Sequence, residues 1–236
     1  MEDLFYFHQL KSAFDEHSDQ ERAVRMKAYM RNQFDFFGVD SPTRKTIVSQ
    51  ILRENGKPEL PVLIGLTGLL WSQPEREMQY AAMDINNYFL KKLIPAYMPI
   101  YEKLIGQKSW WDTVDWLAPR AMGSLLQRYP EHITQHVENW LMSGNIWYIR
   151  SAILFQLHYK QHTDFELLKS IILQTAGSPE FFINKASGWA LREYSKTNGS
   201  AIIEFVESTP ALSGLTKTEA LKWLKNGNKM DIDPQM

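Results

Sequence analysis

The segment SWWDTVDW, which begins at Ser109, carries the residues best suited to chemistry in this chain. With Ser109 as the predicted helix cap, Trp111 and Asp115 lie four residues apart and share one helix face. An indole face attracts cations, and a carboxylate stabilises positive charge that develops during a reaction. Because the charged Asp115 shares a helix face with Trp111, this face is poorly explained as a purely apolar contact. We expect it to line a binding wall.

Comparable side chains recur at two later points in the sequence. Trp147 and Arg150 are three residues apart, and a longer aromatic and basic stripe follows that contains Phe181, Phe182, Lys185, Trp189 and Arg192. Three successive helices would therefore present aromatic and charged groups in register. Four other tryptophans have the helical spacing typical of core residues, namely Trp71, Trp116, Trp140 and Trp223.

Amphipathic helices are the elements that would position these side chains. Long helices are predicted to begin near Glu75, at Trp111, at Ile146 and at Phe181, about 35 residues apart. Shorter helices are predicted between them, over residues 96–105, 131–141 and 164–175, and a further helix lies within residues 19–33. Start signals include Ser178-Pro179 and a capping box of Thr216 with Glu219, while stop signals include Gly38 and Gly199. Helix pairs at this spacing must stack to bury their apolar faces, which predicts an all-α fold, an α-solenoid with one helix of each repeat on its concave wall.

Length and composition fit one domain over residues 1–225, followed by a loosely ordered tail over residues 226–236. The chain has 236 residues and is 44% hydrophobic, which is enough for a sizeable core. Its lack of cysteine excludes disulfides, thiolate catalysis and cysteine zinc sites. The net charge of −1 is not typical of a nucleic-acid binder, although basic residues between Arg22 and Lys45 predict a local basic patch.

Several common functional classes receive no support from the sequence. Dinucleotide, P-loop, zincin and hydrolase-elbow motifs are missing. His132 with His136, and His158 with His162, have the spacing of metal ligands, but two ligands do not make a closed site, so we expect no metal. The N-terminus lacks the pattern of a signal peptide, and the longest apolar run, Leu60 to Trp71, is too short to span a membrane. We therefore expect a soluble protein.

Three motifs, SWWDTVD, WYIR and NKASGWALREYSK, occur in an order and spacing that resembles the AlkD-like DNA alkylation repair glycosylases, which are built from HEAT-like repeats. The similarity runs from about Glu21 to Leu224. It implies an enzyme that removes N3-methyladenine and N7-methylguanine from duplex DNA bound on the concave face. It also implies that Asp115 is the catalytic carboxylate, that Trp111 and Trp189 flank it, and that Arg150 supports it. Arg150 would either bind a phosphate or hold Asp115 ionised, and the sequence leaves both roles open.

The implied chemistry needs no metal and no cofactor. A purine alkylated at N3 or N7 is already cationic, so one carboxylate suffices to stabilise the oxocarbenium-like sugar and to position water. No amine nucleophile is expected beside Asp115, so no lyase step is expected and the enzyme would be monofunctional. Further contacts with DNA are expected from Tyr29, Arg44, Lys45, Trp147, Phe181, Phe182, Lys185 and Arg192. We expect a monomer in the bacterial cytoplasm, associated with the nucleoid.

Two other classes of function remain open on the sequence. A non-catalytic helical-repeat protein that binds damaged or branched DNA would still bind DNA after Asp115→Asn, and its wild type would release no base. A peptide-binding scaffold would have no salt-dependent affinity for DNA. The pairing of Trp111 with Asp115 favours the glycosylase, whereas the net charge mildly favours the scaffold.

Overall fold

The computed structural model describes residues 2–227, and the regular elements of these residues are helices. The predicted all-α helical-repeat fold is confirmed. The chain divides into two compact units, one ending at Lys92 and the other beginning at Leu93. The single domain predicted for residues 1–225 stays a prediction.

The first unit contains five helices among the described residues: α1 Glu2–Glu16, α2 Gln20–Tyr29, α3 Ser41–Asn55, α4 Leu60–Ser72 and α5 Arg76–Asn86. Helix α2 begins at the start of the predicted range 19–33, and the Asp19 and Asp40 carboxylates accept hydrogen bonds from backbone N–H groups in the first turns of α2 and α3. Helix α1 packs on α3 and α4, and α5 packs on the same two helices. The core of this unit lies between these four helices.

A buried carboxylate holds the loop between α2 and α3. Glu77 accepts hydrogen bonds from the backbone N–H groups of Phe37, Gly38 and Val39 at 3.2, 2.9 and 3.1 Å. Gly38 has a φ of +86°, and a Cβ there would lie 2.0 Å from the carbonyl oxygen of Asp19. Gly38 does not end a helix as predicted, because α2 already ends at Tyr29; it gives the loop a left-handed backbone and allows the chain to approach α2 closely.

In the second unit the described helices are α6 Met98–Gly106, α7 Trp111–Trp116, α8 Gly123–Arg128, α9 Ile133–Met142, α10 Ile146–Leu154, α11 Phe165–Thr175, α12 Phe181–Ser195, α13 Gly199–Ser208 and α14 Gly214–Gly227. Helices α7, α10 and α12 begin at the three predicted residues, and α5 of the first unit begins one residue after its predicted start at Glu75. Helices α6, α9 and α11 alternate with them, but the predicted difference in length is wrong, because α9 and α11 are longer than α10. The predicted repeat of about 35 residues is therefore confirmed.

Three further predicted helix signals are wrong. Ser109 does not cap α7, because its hydroxyl donates to the carbonyl of Ile105 and the residue before the helix is Trp110. Ser213, rather than Thr216, accepts the capping hydrogen bond at the start of α14. Gly199 begins α13 instead of ending α12, since the Asn198 side chain caps the helix that follows.

The helix that carries Asp115 continues into a wider turn. Residues Leu117–Met122 form a π-helix between α7 and α8, and Pro119 lies inside it. Proline has no N–H group and interrupts the regular α-helical ladder, and such disruptions are accommodated where the turn widens. Single π turns of this kind are frequent at functional sites. The regular α-helix α7 therefore ends at Trp116, one residue after the candidate carboxylate Asp115.

The remaining tryptophan and tail predictions have mixed outcomes. Trp71 and Trp140 lie in the core as predicted, and Trp116 is half-buried. Trp223 is 44% exposed, so its core assignment is wrong. Helix α14 includes Asn226 and Gly227, two residues past the predicted tail boundary, and residues 228–236 lie outside the described residues. No helix within residues 2–227 is both long enough and apolar enough to span a bilayer.

Candidate functional site

The structure brings the four candidate catalytic side chains together on one open cleft of the second unit. The cleft has a volume of about 290 Å³. Helix α7 contributes Trp111 and Asp115, and α10 contributes Arg150. Helix α12 supplies the other lining residues, which are Phe181, Phe182, Lys185, Trp189 and Arg192. Three helices at repeat spacing thus converge on one carboxylate, as the in-register stripes predicted.

Asp115 is held by a bidentate ion pair. The Arg150 guanidinium donates from Nε to Oδ1 at 2.7 Å and from Nη2 to Oδ2 at 2.8 Å. Its Nη1 donates to the carbonyl oxygen of Phe182 at 2.5 Å. Arg150 is only 3% exposed, so its planar fork is fixed by packing as well as by hydrogen bonds. Of the two roles that the sequence left open, the geometry corresponds to support of Asp115.

Burial sets the protonation chemistry of this carboxylate. Removal from water raises the pKa of Asp115 above its ordinary value, although both the hydrogen bonds and the charge of Arg150 act in the opposite direction. Asp112 also contributes to the upward shift through like-charge repulsion. A buried, oriented carboxylate interacts more strongly with a developing positive charge than one in water does.

A cluster of aromatic rings adjoins the cleft, and Phe182 belongs to both. The ring of Trp110 is 5.5 Å from that of Trp147 and 5.3 Å from that of Phe182, and the latter two rings are 5.0 Å apart. Trp147 is buried, so its ring supports the cleft rather than lining it. Its predicted contact with DNA stays a prediction. Trp110 was missed by the sequence interpretation, although its position next to Trp111 was a usable signal.

The basic residues of the rim share one acidic partner. Lys185 Nζ lies 2.7 Å from Glu219 Oε1, and Arg192 Nη1 lies 2.6 Å from Glu219 Oε2. The hydrogen bond from the Lys185 ammonium, followed by the positive charges of Lys185, Arg192 and Lys222, lowers the pKa of Glu219. Glu219 was assigned to a capping box from the sequence, and that assignment is wrong. Its partners lie on a different helix, so no local spacing pattern pointed to them.

Three predicted DNA contacts lie in the first unit. Tyr29 is 73% exposed at the end of α2, and Lys45 is exposed on α3. Arg44 is buried, because its Nε donates to Asp84 Oδ2 at 2.8 Å and its guanidinium lies over the ring of Tyr80. The contacts of Tyr29 and Lys45 with DNA stay predictions. A phosphate contact by Arg44 also stays a prediction, and such a contact would have to share or break the ion pair between Arg44 and Asp84.

His132 and His136 take part in ordinary contacts. His136 Nδ1 lies 2.6 Å from Glu102 Oε1, which also accepts a hydrogen bond from Trp140 Nε1. The rings of His132 and His136 are 6.3 Å apart. Within residues 2–227, no three or more His, Asp or Glu side chains are grouped so that they could hold a metal ion.

Together, the fold and the cleft define a helical-repeat protein that presents one oriented carboxylate beside two indoles. The chain belongs to the DNA alkylation repair enzyme family, whose model matches residues 10–224. A solved structure described as a predicted DNA alkylation repair enzyme from Enterococcus faecalis is similar to it, with 32% identity and a TM-score of 0.80 over 88% of this chain and 96% of that one. A search of curated proteins finds no significant match. The predicted resemblance is confirmed, and the family supports a role in the repair of alkylation damage, with DNA as the partner.

Proposed function

We propose that the protein is a monofunctional DNA glycosylase that hydrolyses the N-glycosidic bond of cationic alkylated purines in duplex DNA. N3-methyladenine and N7-methylguanine are the proposed lesions. The observation that carries the proposal is the Asp115 carboxylate, fixed by two hydrogen bonds from Arg150 on a cleft that Trp111 and Trp189 also line. Family membership supports the same class of substrate.

In this proposal Asp115 acts electrostatically. The alkylated base leaves as a neutral purine, so no general acid is needed, and positive charge develops on the deoxyribose as the bond breaks. A carboxylate in a partly desolvated cleft stabilises that charge, and its orientation by Arg150 requires no rearrangement during the reaction. The same carboxylate orients the water that attacks C1′. Neither a metal nor a cofactor is needed for this chemistry.

The two indoles of the cleft act on the same charge. A cation over the face of a tryptophan is stabilised by about 0.5–2 kcal/mol, with the larger value in a desolvated site. Trp111 and Trp189 both line the cleft with Asp115. We propose that they flank the deoxyribose and exclude water from the carboxylate, while the opening of the cleft admits a duplex without a closed pocket for the base.

The monofunctional assignment has to account for Lys185. The sequence predicts no amine nucleophile beside Asp115, and although Lys185 lines the same cleft, this stays a prediction. Its ammonium is ion-paired with Glu219, and a lyase would need this nitrogen as a free nucleophile. We therefore propose that no Schiff base forms. Borohydride reduction of the enzyme with abasic DNA should trap no covalent complex, and a trapped complex lost in Lys185→Met would contradict the assignment.

Duplex DNA bearing alkylated bases is the proposed partner, bound by a monomer in the cytoplasm in association with the nucleoid. Phe181, which is exposed at the start of α12, would contact the duplex beside the lesion together with Phe182. Lys185 and Arg192 would bind backbone phosphates at the rim. Tyr29, Arg44 and Lys45 of the first unit are proposed to contact DNA elsewhere.

Base release from methylated DNA tests the proposal. Duplex DNA treated with a methylating agent is incubated with the wild type and with Asp115→Asn, and the freed purines are separated by chromatography, with a sample without enzyme as the control. The proposal predicts N3-methyladenine and N7-methylguanine from the wild type above that control, and little from the variant. If neither protein releases a base while both bind the DNA, the protein is a binding module.

A further inference from the structure

The last helix of the described chain makes an unusually close contact with the helix that carries the rim of the cleft. A Cβ placed on Gly188 of α12 would lie 2.5 Å from the Cβ of Glu219 and 3.0 Å from the carbonyl oxygen of Thr216, both on α14. The buried Thr216 hydroxyl also donates to the carbonyl of Asn184 at 3.1 Å. Only glycine allows these two helices to approach so closely, and the approach brings Glu219 to the rim.

Glu219 uses that position to bind two cations at once. Each of its carboxylate oxygens binds a different partner, Oε1 the ammonium of Lys185 and Oε2 the guanidinium of Arg192. These cations are seven residues apart, so they lie on one side of α12. Glu219 is only 7% exposed and does not line the cleft, whereas both of its partners do.

The arrangement leaves donors of both cations available for a ligand. An ammonium has three N–H donors and a guanidinium has five, and only one of each is needed for Glu219. Because the Glu219 carboxylate does not line the cleft, it orients Lys185 and Arg192 without blocking their remaining donors. Fixing two long side chains before DNA arrives removes part of the entropy cost of binding.

We propose that Glu219 is a positioning residue that holds Lys185 and Arg192 as a preformed pair of donors for the DNA backbone at the rim of the cleft. This inference rests on the proposed function, since it assigns DNA phosphates as the ligand. Glu219 itself does not touch the substrate in this account. Its effect on the reaction passes through the two cations that it orients.

The test compares Glu219→Gln with the wild type in binding to a duplex oligonucleotide at several salt concentrations. The amide keeps the shape of the side chain but has one accepting oxygen, so its NH2 group faces one of the two cations and releases it. We expect binding to weaken roughly fivefold. The slope of log K against log salt should become shallower by about 0.9, the value of one lost phosphate contact.

A matched control separates orientation from net charge. Glu204→Gln removes the same charge from an exposed position on α13, and it should leave the affinity and the salt slope close to those of the wild type. The charge change in Glu219→Gln alone would tighten DNA binding. Weaker binding therefore reports lost orientation. Tighter binding with a steeper slope would show that Glu219 competes with phosphate, and would overturn the proposal.

A double-mutant cycle excludes a purely structural role. If Glu219 acts through the two cations, Glu219→Gln should have no further effect on DNA binding in a protein that already carries Lys185→Met and Arg192→Met. An equal loss in that background would mean that the substitution acts by disturbing α14, and would refute the inference. In base release, we expect KM to rise in Glu219→Gln while kcat stays unchanged, because Asp115 and the two indoles are untouched.

The two proposals fail in different ways. The binding measurements do not depend on base release, so a wild type that binds DNA but releases no base would refute the glycosylase proposal alone. Binding by Glu219→Gln that is indistinguishable from that of the wild type, in both affinity and salt slope, would refute the positioning role alone.

Discussion

Replacement of Arg150 by methionine tests whether this side chain sets the charge of Asp115. Arg150 is 3% exposed, and it donates two hydrogen bonds to the carboxylate. Removal of one partner of a buried ion pair costs about 3–5 kcal/mol, because the other charge is left unpaired. The side chain of Asp115 is 18% exposed, so some of its charge remains hydrated, and we expect a cost near the lower end, about 3 kcal/mol of unfolding free energy.

The expected effect on pH dependence has a definite sign. Burial already raises the pKa of Asp115, and Arg150 opposes that shift, so Arg150→Met raises the pKa further. Base release requires the ionised carboxylate, so the acid limb of the profile of kcat/KM against pH should move to higher pH. Above that limb, kcat/KM should fall roughly a hundredfold, as expected for a misplaced catalytic group.

Linkage gives a second test that does not involve catalysis. When the pKa of an acid is higher in the folded state, the folded protein binds the proton more tightly than the unfolded chain does, so stability falls as pH rises through that pKa. In Arg150→Met the loss of stability should therefore become smaller as pH falls through the raised pKa of Asp115, because the protonated carboxyl group carries no unpaired charge. Denaturant unfolding at the two pH values measures this difference.

Two control variants complete the experiment. Arg53→Met removes the same charge from an exposed position on α3 and should leave the acid limb in place. Arg150→Lys keeps a positive charge but lacks the planar fork, so we expect an intermediate shift. The reasoning is refuted if the acid limb of Arg150→Met stays where it is in the wild type or moves to lower pH, measured after subtraction of base loss without enzyme.

Three further substitutions probe other parts of the account. Trp189→Ala should lower kcat for base release roughly ten- to thirtyfold, the equivalent of up to about 2 kcal/mol of cation–π stabilisation. Binding of undamaged DNA should stay unchanged. An equal loss in kcat and in DNA affinity would argue for misfolding instead. Glu77→Gln should lower the unfolding free energy by about 1–3 kcal/mol, because the amide has only one oxygen to accept the three backbone N–H groups that the carboxylate binds. An unchanged Tm would contradict this. Gly38→Ala should destabilise by about 1–3 kcal/mol in denaturant unfolding, because an alanine would be strained at this φ and its Cβ would clash with the Asp19 carbonyl. A loss near zero would show that the loop can move aside.

The sequence predicted the elements that follow from local periodicity. The starts of α7, α10 and α12 follow from the spacing of apolar residues and from polar or proline residues nearby, and these are local signals. The shared cleft of Asp115 and Trp189 was also predictable, because repeats at constant spacing place equivalent positions on neighbouring helices. The family resemblance rested on the same residues.

The features that were missed depend on contacts between distant parts of the chain. Glu219 fits the pattern of a capping box, but its partners Lys185 and Arg192 lie 27 or more residues away and become visible only once α14 packs on α12. The role of Arg150 was undecided because a guanidinium can bind either a carboxylate or a phosphate. Only the position of Asp115 on the facing helix distinguishes the two.

The central claim is that Asp115 releases alkylated bases, and single-turnover kinetics on one substrate tests it most directly. A duplex with a single N7-methylguanine is mixed with excess enzyme, and free base is measured against time for the wild type and Asp115→Asn, each at a concentration that saturates the DNA. We predict a wild-type rate well above the rate without enzyme and a fall of roughly 10²–10³-fold in the variant, as for the loss of one oriented electrostatic group. Equal rates for the two proteins would contradict the claim.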